Sequence, residues 1–172
     1  MDESGTEPEL SAEYRDLRKK LVPTGAILHA HLTLSRVFEV DAAEKTAHDS
    51  TTLDLLLRVR MASPGGIRAV DLCEQMQKSA SHISRVVERA ESAGLVVRRA
   101  DTTDRRAHKI DLTKRGERDL DEYIPHLIGV IDRVIFATLS SAEIETLSKL
   151  LSKVETTSRR LIAEHESRRR EK

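Results

Sequence analysis

The chain has 172 residues, enough for one sizeable core, and 34% of them are charged while its aromatics are two Tyr and two Phe with no Trp, so the core must be Leu, Val, Ile and Ala and the charges suit long solvated helices. One cysteine, Cys73, excludes a disulfide framework and a multi-cysteine zinc site. The 29 Lys and Arg equal the 29 Asp and Glu, but the balance is uneven along the chain: residues 1–64 carry −3, residues 65–116 carry +4 and residues 117–172 carry −1, so positive charge gathers in one stretch, where it can face a polyanion.

Residues 1–9 are acidic and polar and read as a disordered tail with no secretory signature, so the chain is expected in the cytoplasm. Residues 10–62 read as N-terminal helices. Apolar residues recur at Leu10, Tyr14, Leu17 and Leu21, a helical stripe, and Pro23 with Gly25 predicts a break or kink. A second helix follows with Ile27, Leu28, His31, Leu34 and Phe38 near one face and ends around Asp41–Lys45. The next spans Thr52–Ala62 and is stopped by Ser63-Pro64-Gly65-Gly66.

Residues 63–116 carry the most informative pattern. Ile67–Gln77 reads as a short helix with Ile67, Val70, Leu72 and Met76 turned inward, and with Cys73 packed where two helices cross. Lys78 falls in a turn. Ser79 or Ser81 can cap the next helix, Ser81–Ala93, whose buried face is Ile83, Val86, Val87 and Ala90, and Gly94 suits the position after its end. Two β-rich runs follow, residues 95–100 and 107–112, with Leu95 and Val97 on one face of the first and Ile110 and Leu112 on one face of the second. Helix, turn, helix and two-stranded hairpin, in that order, make a winged helix. In such a module the second helix enters the major groove and the hairpin tip an adjacent minor groove.

Residues 117–172 read as C-terminal helices. Thr113 is placed to cap a long helix through about Thr138, with Pro125 a kink or local break. Ser140 and Glu143 form a capping box opening the last helix. There Ile144, Leu147, Leu151, Val154, Ser158, Leu161 and His165 follow spacings of three and four, a seam that wants a partner helix, so a homodimer through the terminal helices is expected. The most apolar run, residues 126–139, is broken by Asp132 and Arg133 and falls short of the ~20 apolar residues a bilayer needs, so no membrane partner is expected. The fold class is therefore mainly α with a small β-hairpin wing: a winged helix-turn-helix DNA-binding lobe flanked by N- and C-terminal dimerisation helices.

Chemistry-bearing residues sort by what each can contact. Ser81, His82 and Arg85 are candidates for base edges, since Arg pairs bidentately with guanine and serine can contact several partners; His82 is equally suited to a cap or bare surface. Arg68, Lys78, Ser79, Ser84 and Arg89 are better placed for phosphates, which set register without reading sequence, though Arg89 can instead meet a carboxylate inside the module. At the hairpin tip stand Asp104, Arg105 and Arg106, suited to the negative potential of a narrow minor groove, with Asp104 or Asp101 free to pair with an arginine and fix its aim. Seven histidines are scattered without metal-ligand spacing. There is no G-x-S-x-G and no phosphate-binding glycine loop, so neither an enzyme nor a cofactor is expected.

Several stretches, DLLLR (54–58), GGIRAVDLC (65–73), SHISRVVERAESAGLVVRR (81–99) and DRRAHKIDLTKRG (104–116), resemble the MarR family of dimeric winged-helix transcriptional regulators. With the flanking helices the match covers about 130 residues, roughly 20–150, and its most specific part is D-R-R followed by L-T-x-x-G after G-L-V-x-R. His82 occupies a variable recognition position, and residues 10–22 form an added N-terminal helix. The resemblance implies a homodimer on double-stranded DNA, Arg105 with Arg106 in the minor groove, and relief of binding by a small aromatic or anionic ligand. Its pocket would lie between the dimerisation helices and the DNA lobe, with His29, His31, Arg36, Leu57, Arg58, Met61 and Ile128 as candidate lining. Arg58 and Arg60 also suit a snorkelling cation or an intersubunit ion pair. Redox- or metal-responsive regulation on the same scaffold, and a winged-helix module that binds protein, are the alternatives.

Overall fold

A computed structural model describes residues 11–101 and 108–170. Its elements in chain order are α1 (Ala12–Lys45), α2 (Ser50–Met61), β1 (Ile67–Arg68), α3 (Ala69–Met76), α4 (Ala80–Ser92), β2 (Val96–Ala100), β3 (His108–Leu112), α5 (Lys114–Ile131), a π-helical turn (Asp132–Phe136) and α6 (Ser141–Arg170). The chain divides within α5, after Leu120, into two compact units. No helix among the described residues is long and apolar enough to cross a membrane.

In the first unit the core is built by α2, α3, α4 and the sheet. Leu53, Leu55, Leu56 and Val59 of α2, Leu72 and Met76 of α3, and Ile83, Val86, Val87 and Ala90 of α4 are buried with Ile67, Leu95, Val96, Ile110 and Leu120. Each large aliphatic side chain so removed from water contributes about 1.5–3 kcal/mol, and together they lock three short helices that could not persist alone. The helices are well started: Asp49 caps α2 by accepting from the Thr52 amide at 2.7 Å, and Ser79 caps α4 by accepting from the His82 amide at 3.3 Å. Between α3 and α4, Gln77 takes the left-handed conformation at φ 52°.

Four expectations are corrected. First, of the break or kink expected at Pro23 the break is absent, for α1 is continuous through it: residues 18–24 are all exposed, so water can serve the carbonyl that proline leaves without a donor. Pro125 likewise sits inside a continuous α5, which gives way instead to the π-helical turn, where the Ala137 amide reaches the Asp132 carbonyl at 2.7 Å. Second, Ile67 and Arg68 are not helical. They form a strand on β3, with Ile67 opposite Ile110 and Arg68 opposite Lys109, so the sheet has three strands in the order β1-β3-β2. With α3 starting only at Ala69, Val70 falls on its outer side and is 67% exposed. Third, β2 alternates in the opposite phase to the one read from sequence. Leu95 precedes the strand, its amide bonded to the Ala90 carbonyl, and Val96 pairs with Leu112 on the core face, while Val97 pairs with Asp111 on the other. Fourth, Cys73 is half-exposed rather than packed away.

In the second unit Ser140 and Glu143 form the expected capping box. The Ser140 amide and hydroxyl donate to the Glu143 carboxylate at 2.8 and 2.6 Å, and the Glu143 amide donates to the Ser140 hydroxyl at 3.4 Å. Along α6, Leu147, Leu150, Leu151, Val154, Leu161 and Ile162 are all exposed.

Candidate nucleic-acid interface

The exposed face of α4 follows from its buried one. With Ile83, Val86, Val87 and Ala90 held inward, the helical period turns Ser81, His82, Ser84, Arg85, Glu88 and Arg89 outward, and all six are exposed. The N-terminal turn of this helix offers backbone N–H groups and the positive end of the helix dipole to an anion. Ser79 and Ser81 stand with their hydroxyl oxygens 3.1 Å apart, and Lys78 is exposed in the turn before them. Two of the outward residues are already engaged. Ser84 donates to Glu88 at 2.9 Å, and Arg89 lies 3.6 Å from Asp49, the residue that caps α2, one of the two partners its sequence position left open.

Beside α4 the sheet presents a charged face. The register sets Arg68, Lys109 and Arg99 in one row across the three strands. Arg99 pairs with Asp111 at 3.7 Å. Arg68 donates from Nε and Nη2 to one oxygen of Asp101 at 2.9 and 2.5 Å, and Lys109 Nζ stands 3.9 Å from the other oxygen. Asp101 is buried, its side chain without exposure. Arg68, expected against a phosphate, therefore has its guanidinium committed to Asp101. On the opposite side Arg98 joins β2 to α4 through Glu91, by its guanidinium at 3.6 Å and its amide at 3.4 Å. Asp104, Arg105 and Arg106 lie outside the described residues.

Between α3, α4 and the sheet lies a cavity of about 580 Å³, lined among others by Val70, Cys73, Ser84, Arg98 and His108; it is where the half-exposed thiol opens, and no periodicity pointed to it. A second feature escaped sequence reasoning. His48 Nε2 lies 3.0 Å from Asp119 of α5, so with Asp49 it makes the α1–α2 connection a hook that touches α2, α4 and α5. An aspartate one residue before a helix is a recognisable cap; its long-range partners have no local signature.

The residues expected around an effector are spread over three helices. His29 and His31 are exposed on α1, where Arg36 pairs with Glu39 at 3.0 Å. On α2, Leu57 is half-buried, Arg58 pairs with Asp54 at 3.0 Å and Met61 is exposed. Arg60 stands 3.7 Å from Glu117 of α5. Ile128 is exposed on the part of α5 that belongs to the second unit. No group of three His, Cys, Asp or Glu is placed to hold a metal ion among the described residues.

Residues 55–107 match the MarR family profile. An HTH-type transcriptional regulator of Bacillus cereus is 30% identical over 108 residues, which are 62% of this chain and 70% of that protein. Among solved structures, the chain is similar to Sco3205, a MarR family transcriptional regulator from Streptomyces coelicolor in complex with DNA, with a TM-score of 0.70 at 20% identity over 88% of this chain and 91% of that one. It is also similar to CouR from Rhodococcus jostii RHA1 bound to p-coumaroyl-CoA, with a TM-score of 0.68 at 18% identity over 75% of this chain and 88% of that one.

Proposed function

Because the chain belongs to the MarR family of winged-helix transcriptional regulators, we propose that it acts as a cytoplasmic homodimeric repressor that reads a near-palindromic operator and lets go when a small aromatic or anionic ligand binds. The observation that carries DNA reading is the outward face of α4. Ser81, His82 and Arg85 are presented on a helix whose other face is wholly buried, so three polar side chains of different hydrogen-bonding character are offered rigidly to base edges. Ser79, Ser84, Lys78 and Arg89 flank them as phosphate contacts. Arg105 and Arg106, in the one net-positive stretch of the sequence, are assigned to the minor groove.

Two-fold symmetry is supported by apolar surface that one copy leaves in water. On α1, Leu17, Leu21, Leu28 and Leu32 are 47–63% exposed, and on α6, Leu147, Leu151, Val154 and Leu161 are 41–48% exposed. Stripes of this length on two helices mark a protein interface. A second copy would present two α4 helices to half-sites whose centres lie about 10–10.5 bp apart, or a multiple of that. The ligand would act by binding better to a dimer whose two α4 helices are wrongly spaced for those half-sites; support for a ligand of this class comes from the p-coumaroyl-CoA held by CouR.

The test is a gel shift on the DNA upstream of the chain's own gene and its neighbours, repeated at rising salt. Specific binding should appear at a near-palindrome and fall by orders of magnitude between about 50 and 200 mM salt as counterions compete for the phosphates. Indifference to duplex sequence at every salt concentration would remove the reading.

A further inference from the structure

The charged face of the sheet contains a contact that joins its two outer strands. In the order β1-β3-β2, β1 and β2 are not neighbours and lie about 10 Å apart, two interstrand spacings. The Arg68 side chain crosses β3 to reach Asp101, the residue after β2, with two donors on one carboxylate oxygen. Lys109, on the strand between, faces the other oxygen at 3.9 Å. The last described residue before the hairpin tip is thus held by side chains from both other strands.

Two independent observations say that this contact costs stability elsewhere. Asp101 is 2% exposed, and a carboxylate taken out of water carries a desolvation penalty of several kcal/mol that its partners repay only with good geometry. Arg68 is also the N-cap of α3 and makes no side-chain capping bond; Ser, Thr, Asp or Asn would bond the helix amides there. The position gives up a cap in order to hold Asp101. Since β1 runs directly into α3, a rigid tie from Arg68 to Asp101 ties the root of the hairpin to the helix pair that carries α4.

We propose that Arg68 and Asp101 are positioning residues for operator selectivity: their ion pair, steadied by Lys109, fixes the end of β2 relative to β1 and so to α3 and α4. Neither need touch DNA. The inference rests on the reading of the chain as a sequence-specific DNA binder. A hairpin loosened at its root would still carry its charge to a duplex, so non-specific affinity would stay, while the simultaneous fit of hairpin and α4 to one sequence would be lost.

The experiment uses the full chain and a duplex enriched by the wild type from a random-sequence pool, with a scrambled duplex of the same length and base composition as reference. The informative variant is the double substitution Arg68→Ser with Asp101→Asn, which supplies α3 with a capping hydroxyl and leaves no buried charge; the single variants Asp101→Asn and Arg68→Lys are measured beside it. The double variant should melt near the wild-type temperature and bind the scrambled duplex within about twofold of wild type, but prefer the enriched duplex at least about tenfold less. Arg68→Lys, which keeps the charge but not the fixed fork of two donor nitrogens, should fall between. An unchanged preference overturns the proposal. So does a fall in affinity that is equal for both duplexes and tracks a lowered melting temperature, since that is what a purely structural pair would produce. A wild-type chain that enriches no duplex overturns the functional reading itself, and the role given to the pair with it.

Discussion

Gly116 lies against the carbonyl of Leu95 so closely that a Cβ on it would stand 2.0 Å from that oxygen. The approach is held from both sides. The Thr113 hydroxyl donates to the Gly94 carbonyl at 2.6 Å and accepts from the Gly116 amide at 3.1 Å, and the Thr113 amide donates to Leu95 at 3.0 Å. Thr113 therefore caps α5 and fastens it to the junction of α4 and β2 in one arrangement. Gly116→Ala must push backbone from backbone, with no flexible side chain to yield. The expected loss is about 3 kcal/mol, the upper end for inserting a methyl into a packed site. Chemical denaturation checks it, and a variant as stable as wild type would show that α5 can draw away from the Leu95 carbonyl at little cost.

Gly66 is constrained in a different way. Its φ is +66°, and a Cβ would meet Asp111 Oδ1 at 2.8 Å and Lys109 Cβ at 3.1 Å. Here part of the obstruction can move, because the Asp111 carboxylate is the end of a side chain. Gly66→Ala should cost about 1–2 kcal/mol for the left-handed backbone, and displacing Asp111 should loosen its 3.7 Å pairing with Arg99. Gly66→Asn, which tolerates this conformation better, should be less damaging to the backbone despite its larger side chain. Parallel denaturation curves would decide whether backbone strain or the crowding of Asp111 dominates.

The helix-turn-helix and the start of α6 were legible because their signals are local. The periodic burial of Ile83, Val86, Val87 and Ala90, the Ser79 cap and the Ser140–Glu143 box each depend on residues within one or two turns. What escaped depends on partners far along the chain. Two residues are too few to show a strand's alternation, so β1 was hidden until Ile67 met Ile110. The phase of β2 was misread because Leu95 is as buried as Val96 for a different reason, its place at the helix end, which put two consecutive apolar residues inside and broke the period of two. The pairing of Arg68 with Asp101 was hidden because the two stand 33 positions apart and the burial of Asp101 has no local signature. The L-T-x-x-G run was recognised as a pattern, and the approach of Gly116 to Leu95 is its physical cause.

The capping box of α6 makes a prediction about pH. The hydroxyl and amide of Ser140 both donate to the Glu143 carboxylate, and these bonds hold its pKa below the ordinary value of 4.5. A carboxyl with a lower pKa when folded stabilises the fold above its unfolded value and loses that contribution as pH falls through the lower, folded value. The start of α6 should therefore fray on acidification below about pH 4.5. Glu143→Gln, which keeps an acceptor but cannot titrate, should remove that part of the pH dependence while retaining a weaker box. Amide exchange at residues 141–145, followed against pH in both proteins, reads this directly; identical profiles would mean that the bonds to Ser140 do not persist in solution.

Within and beside α4, Arg85 and Lys78 should behave differently although both are exposed cations. An arginine that reads a base edge contributes about 1–3 kcal/mol of discrimination, whereas a lysine on a phosphate weakens all duplexes alike when removed and lowers the salt slope by about one. Arg85→Ala is expected to relax the preference for one base pair per half-site and leave non-specific binding nearly intact; Lys78→Ala should do the reverse. Arg105→Ala should cost about 1–3 kcal/mol of operator affinity without changing oligomeric state. Competition titrations with singly substituted operators separate the cases, and an Arg85→Ala protein with unaltered base preference would take that residue out of the reading face.

The exposed seam of α6 allows the proposed dimer to be tested without touching the unit that holds α4. Leu151 and Leu161 are 41% and 46% exposed in one chain, and neither belongs to the unit that holds α4. If a second copy covers them, replacing both with Asp places unpaired charges in a desolvated contact, at a cost of several kcal/mol, enough to dissociate a dimer at micromolar concentration. If water covers them, the same change improves solubility and little else. Sedimentation should show the double variant as a monomer with its secondary structure retained, and operator affinity should collapse because each chain alone would meet only one of two proposed half-sites. Binding to an isolated half-site should survive, weak and steeply salt-dependent. A double variant that sediments as a dimer would move the interface off this seam, leaving α1, with Leu17, Leu21, Leu28 and Leu32, as the place to look next.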